Sequence, residues 1–402
     1  MDKYYQFGEK NLGPLLLGYS KWLLENCRKE DIHKVYFFSR DGYLMKKAFD
    51  MLLGCKINIK TFYLEVSRRS LRVPILWKDY SLKNLLTMLT PSMLIPITSV
   101  FDAVGLNVNN YQTLLVKYGF DINSVIYRKD FLNNKQLKDM YSELSSDIKK
   151  VSLAEYANLK EYLKEREIGG KFAIVDIGWS GGMQRFLQTT LNEMGIKSEI
   201  YGYYTGIAKY YKRNVSDGFV LNMHGYLFDF MHNPFDKDCR NCFVGLYEML
   251  FLENKGSVEK YVRNAYGQIE AVRYPYEYME SGELLPEVEH IKSTQEGALD
   301  YVKEHQSDSI DSIDKFRLCG NLLSEGQNPS SNSIKLFANF RFFDEGEYYK
   351  LARPRSLWFY LMHPSDFKLD FLKSRWKTAF LKRLLVVPLP YYNIYKLLKR
   401  IS

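Results

Sequence analysis

The sequence predicts an α/β fold: a mainly parallel sheet with crossover helices, a helical insertion and a mixed, α-rich C-terminal region. Three observations carry this. An apolar run at 35–38 is followed at once by an amphipathic stretch at 43–53. A second run, IKTFYLEV at 59–66, follows. The stretch KFAIVDIGWSGGMQRFLQTTLNEMG then repeats strand (172–175), glycine-rich turn (176–182) and helix (183–194), and KSEIYGYYTG returns as another strand. Such alternation builds parallel sheets with crossover helices, so at least four parallel strands are expected.

In chain order, 12–28 is the first expected helix. Residues 1–80 then form the first part of the α/β core, carrying the SRDG and SRR clusters. Pro74 and the Pro91 to Pro96 region break the alternation, and 81–168 reads as a helical insertion closed by Gly169 and Gly170. Residues 169–260 form the second part of the core, with the DIGWSGG loop. Residues 261–370 are mixed and mostly helical, with helices expected near 294–306, 310–324 and 332–343. SDSIDSIDKF reads as a solvated helix start, since it lacks the glycine and terminal glutamate of a calcium loop. The tail, 371–402, mixes Lys and Arg with Leu, Trp, Phe and Tyr. It suits either an anionic membrane interface or packing on the body with its basic face in water.

Composition narrows the function. With 46% apolar residues the 402-residue chain can bury a full core, so a folded chain is expected. The formal charge of +9 points to an anionic partner without choosing one. No nucleic-acid recognition module is present, so nucleic acid is not expected. Five scattered cysteines and no secretory leader suit a reduced, cytoplasmic chain. Cys239 and Cys242 make a lone C-x-x-C near His232; no second ligand pair suits zinc, so incidental thiols are expected.

The chemistry lies at strand ends, where open parallel sheets bind ligands. Three polar clusters sit there: Ser39-Arg40-Asp41-Gly42, Ser67-Arg68-Arg69, and Asp176 through Gln184. Gly178, Gly181 and Gly182 permit close backbone approach to a ligand, and Ser180 can cap the following helix, whose N-terminus favours an anion. This is neither a Walker loop nor a dinucleotide fingerprint. Arg40, Arg68 and Arg69 suit phosphate oxygens, with Arg72 one turn on. Asp41 suits a metal or ribose hydroxyls. Each cluster also has a purely structural reading: Ser39 as a helix cap, Asp41 in a first helical turn, surface arginines, and a tight β–α turn. His224 reads as a locally bonded histidine or an acid/base, and Glu248 as a buried acid that needs a partner.

Read together, GPLLLGY…VYFFSRDGYLMKKAFD, FYLEVSRRSLRVP and AIVDIGWSGGMQRFLQ…GYYTG resemble a family of bacterial polysaccharide-biosynthesis proteins, many described as HAD-superfamily hydrolases. The resemblance covers residues 10–260. In those longer proteins a HAD phosphatase domain comes first, and the part resembling this chain is the glycan phosphoribosyltransferase domain of dual-domain ribofuranosyltransferases. The expectation is a chain without the phosphatase: neither VDIG nor FSRDG carries the second aspartate of a HAD nucleophile motif. The resemblance implies transfer of 5-phosphoribose from phosphoribosyl diphosphate (PRPP) to a hydroxyl of a glycan acceptor, expected to be lipid-linked, with a separate HAD-type phosphatase acting afterwards. It implies Mg²⁺ held by Asp41 and Asp176, and Asp41, Asp176 and Arg68 as catalytic groups. Ser39, Arg40, Gly42, Ser67, Arg69, Gly178, Trp179, Ser180, Gly181, Gly182 and Gln184 become substrate-binding residues. The expected location is the cytoplasm, at the inner face of the membrane if the basic tail makes peripheral contact. A nucleotide-sugar donor on the same scaffold, and a non-catalytic glycan- or membrane-binding subunit, are the competing readings.

Overall fold

A computed structural model describes residues 2–54, 58–89, 93–215, 219–308, 315–344 and 347–401. Cys55 and most of SDSIDSIDKF, with the expected helix start at 310, lie outside these residues. The sheet has five parallel strands: β1 (Lys34–Phe38), β2 (Lys60–Leu64), β3 (Gly170–Trp179), β4 (Ser198–Ile207) and β5 (Asn222–Asp229). Their order is β2-β1-β3-β4-β5. The fifth strand, around His224, completes the sheet beyond the four that the alternation signals.

The apolar runs have no polar partner face because both faces are covered. Val35 and Phe37 join one core with Ala173, Val175 and Tyr203, against the helices Gly13–Lys29 and Gly42–Leu53. Tyr36 and Phe38 point the other way and join Phe172, Ile174 and Leu187, against Ser145–Glu165 and Gly182–Glu193. The strand period of two thus divides one run between two cores.

The helical region has a core of its own, running from Val73 to Ile148. It contains the expected helices and a short antiparallel pair, Leu94–Pro96 with Val125–Tyr127. The long helix Ser145–Glu165 returns the chain to the sheet.

Two C-terminal expectations change. The helix expected at 332–343 stops at Phe337, and Arg341–Asp344 pairs with Glu347–Lys350 as a hairpin. Facing aromatics, Phe342 with Tyr349 and Phe343 with Tyr348, favour strand over helix there. The helix expected from 294 begins at Pro286, with Pro in its first turn and Glu287 and Glu289 beside its positive end. Within the tail, Trp376 is fully buried and donates Nε1–H to the Gly326 carbonyl at 3.0 Å, while Phe380 packs in the main core. Part of the tail is therefore structural, Tyr391 and Tyr395 of its last helix included.

Candidate active site at the ends of three strands

The strand order reverses between β1 and β3, and a crevice opens where neighbouring connections leave in opposite directions. A cleft of about 1270 Å³ lies at this point. Its floor is the carboxyl ends of β1, β2 and β3, and its far wall is the helical region, through residues such as Asn84, Met88 and Arg128. The cleft exceeds the usual few hundred to ~1,000 Å³ of a small-ligand pocket, so it has room for two substrates.

The three sequence clusters converge here. Ser39, Arg40, Asp41, Ser67, Arg68, Arg69, Asp176, Gly178, Trp179, Ser180, Gly181 and Gly182 all line the cleft. Gly42 and Gln184 do not. Gly42 is buried beneath Phe37, where a Cβ would come within 3.0 Å of the Phe37 backbone. Gln184 is buried too: its amide donates to the carbonyls of Ile200 and Asn222 and accepts from the Tyr204 hydroxyl at 2.9 Å. It ties β4 to β5.

The glycine-rich turn is shorter than expected. β3 continues through Asp176 to Trp179 because those residues pair with Tyr204 to Ile207 of β4. Only Ser180 and Gly181 turn the chain. Gly178 has φ +130, and a Cβ there would sit 2.3 Å from the Gly206 carbonyl oxygen of β4. Gly181, at φ +74, is itself the N-cap, so Ser180 does not cap the helix. The Ser180 carbonyl instead accepts from Asn214 at 2.9 Å.

Side-chain partners sort the polar residues. The Ser39 hydroxyl donates to the Val66 carbonyl at 2.8 Å, which ties the ends of β1 and β2 together. Ser67 caps the short helix Arg68–Arg72. Trp179 donates Nε1–H to Glu248 at 3.0 Å, and Arg240 stacks 3.5 Å from its ring centre, so this ring packs the loop. Arg40 pairs with Glu277. Arg69 makes two parallel bonds to the buried Glu155, at 2.9 and 3.0 Å. A bidentate pair of this kind occupies the guanidinium fork. Arg69→Ala is expected to lower stability by roughly 3 kcal/mol, because it strands the Glu155 charge; a urea melt measures this.

Arg68 is different. It is exposed at the cleft, and no carboxylate lies within ion-pairing distance of it among the described residues. Its charge acts on Asp41 and Asp176, favouring their ionised forms. Arg72 stands beside it, stacked 3.9 Å from the Phe186 ring and donating to the Met88 carbonyl at 2.7 Å. Burial, and then the Arg68 charge, push Arg72 down to about 10. Two neighbouring guanidiniums that repel each other make a place for an anion.

Opposite them stand carboxylates. Burial, followed by the charges of Asp176 and Glu248, holds the Asp41 carboxyl well above the usual range. Burial raises Asp176 to about 7, against the Ile177 N–H that donates to it at 2.7 Å. Among the described residues, no three metal-ligating side chains form a closed ion site. Mg²⁺ needs only one or two carboxylates when substrate phosphates complete its shell, and Asp41, crowded by two like charges, is a donor of that kind.

Some lining residues have no signal in sequence. Arg128, Arg185 and Arg213 reach the cleft from three separate segments. Glu248, legible only as an acid among apolar neighbours, lies with the two aspartates. His224 lies on β5, outside the cleft, stacked on Tyr203 and His232. No known protein family and no curated protein matches the chain.

Proposed function

We propose that this chain is a glycosyltransferase of bacterial surface-polysaccharide synthesis that transfers 5-phosphoribose from PRPP to a hydroxyl of a glycan acceptor. The family resemblance supplies the donor and the acceptor, and one observation supports it: Asp41 and Asp176 face Arg68 at the strand-order switch point, inside a cleft lined by seven arginines. A donor with phosphate at one end and diphosphate at the other requires cations around a carboxylate centre.

In the reaction the bond between the anomeric carbon and the diphosphate oxygen breaks, and the acceptor oxygen forms the new bond to that carbon. Arg68 and Arg72 stabilise the charge that develops on the departing diphosphate. Asp41 would hold Mg²⁺ with the substrate's diphosphate oxygens, and the ion would supply further positive charge to the leaving group. Asp176, at about 7, is poised to accept the acceptor's proton near neutral pH. The product keeps its 5-phosphate, so a phosphatase activity of the HAD type completes the ribofuranose. With such a donor, the reading is of a chain that works in the cytoplasm.

Incubating the purified chain with PRPP, Mg²⁺ and a panel of synthetic or lipid-linked glycans tests this. The expected result is pyrophosphate release with an acceptor mass gain of one phosphoribosyl unit. No gain from PRPP, with nucleotide released from a nucleotide sugar instead, would overturn the donor assignment.

A further inference from the structure

Residues 353–402 hold eleven Lys or Arg and two Asp, and the other residues of the chain hold forty-five of each sign. The whole net charge of +9 therefore belongs to this stretch. Its first two helices, Leu357–Met362 and Pro364–Lys373, are apolar on two sides. The inner side is aromatic: Tyr360, Phe367 and Phe371 meet the Phe380 ring at centroid distances of 6.3, 6.3 and 5.7 Å. The outer side carries Leu357, Trp358, Leu361 and Met362 on one helix and Leu369 and Leu372 on the other, all exposed. Trp358 is 79% and Met362 75% exposed.

Within each helix these residues are spaced so that they share one face. A surface helix in water keeps such a face polar. Here it is apolar, and exposed Lys368 and Lys373 flank it. The two acids of the stretch, Asp366 and Asp370, both pair with Arg355, at 3.5 and 3.0 Å. Aliphatic residues and a tryptophan bordered by lysines match a helix lying at lipid headgroup depth. Charge also separates the candidate occupants: two copies of this stretch repel each other, whereas an anionic surface attracts it.

We propose that the helical pair 357–373 docks on an anionic lipid membrane, with Trp358, Leu361 and Met362 among the acyl-chain ends and Lys368 and Lys373 at lipid phosphates. The pair overlaps the start of the basic tail, where Trp376 and Phe380 face inward and support it. The inference does not depend on the sugar donor.

The test is co-sedimentation of the full chain with phosphatidylcholine vesicles, with and without phosphatidylglycerol. Binding is expected only with the anionic lipid, and to weaken as salt is raised. The double variant Leu361→Ser, Met362→Ser should lower the partition at least about tenfold, and Lys368→Glu with Lys373→Glu should lower it about as much, both with unchanged melting temperature. Vesicle binding that survives both variants, or no binding to anionic vesicles at low salt, overturns the proposal. So does a dimer, seen by light scattering, that Leu361→Ser, Met362→Ser abolishes in the absence of vesicle binding.

Discussion

Asp41→Asn abolishes transfer, by about a thousandfold or more, and at the same time stabilises the unliganded protein at alkaline pH. The two effects share a cause. Burial and the charges of Asp176 and Glu248 hold the Asp41 carboxyl well above its ordinary range. In the unfolded chain the same group titrates near ~3.9. Between those values the folded state binds more protons, so stability falls as pH rises through the window. Asparagine carries no charge, so the variant matches the parent near pH 4 and gains as pH rises. The variant is expected to be the more stable of the two at pH 8. Melts at pH 4 and pH 8, beside pyrophosphate release, check both parts. A variant that is inactive and less stable at pH 8 would show Asp41 to be a structural residue, and a fully active one would remove it from the mechanism.

Arg68→Ala is expected to cost about 10² to 10³ in turnover, with stability changed by no more than ~0.5 kcal/mol. The side chain is exposed, and its charge acts on another cation of the same helix, Arg72. Removing it breaks no ion pair among the described residues and relieves a repulsion. Arg68→Lys should recover only part of the rate, since an ammonium cannot grip two phosphate oxygens at once. The informative contrast is with Arg69→Ala, where the loss is one of stability. If both variants unfold alike, Arg68 is a scaffold residue and the anion site lies elsewhere in the cleft.

That contrast marks how far the residues can be read in one dimension. Arg68 and Arg69 are the same letter at adjacent positions, and phosphate binding is an equally good reading of each. One helical step turns Arg69 toward Glu155, 86 residues further along the chain, and leaves Arg68 facing the cleft. Gln184 sits among cleft residues in sequence, yet the helix beginning at Gly182 turns it inward to β4 and β5. Glu248 gains its place beside Asp41 only when its helix packs against the β3 loop through Trp179.

What the linear order determined is whatever depends on neighbours along the chain. Apolar runs ending in Ser-Arg-Asp-Gly and Asp-x-Gly announce strands, their carboxyl ends and the helices that follow, because period and turn chemistry are local. The parallel sheet, and the strand ends at which the candidate cleft lies, were legible on those grounds. Tertiary structure alone decided which side chains at those ends are already spoken for, which arginines reach the cleft from distant segments, and which face of the basic C-terminal stretch remains in solvent. These depend on pairings across tens to hundreds of residues, and a charge or a ring has no preference among such partners until packing brings one of them within reach.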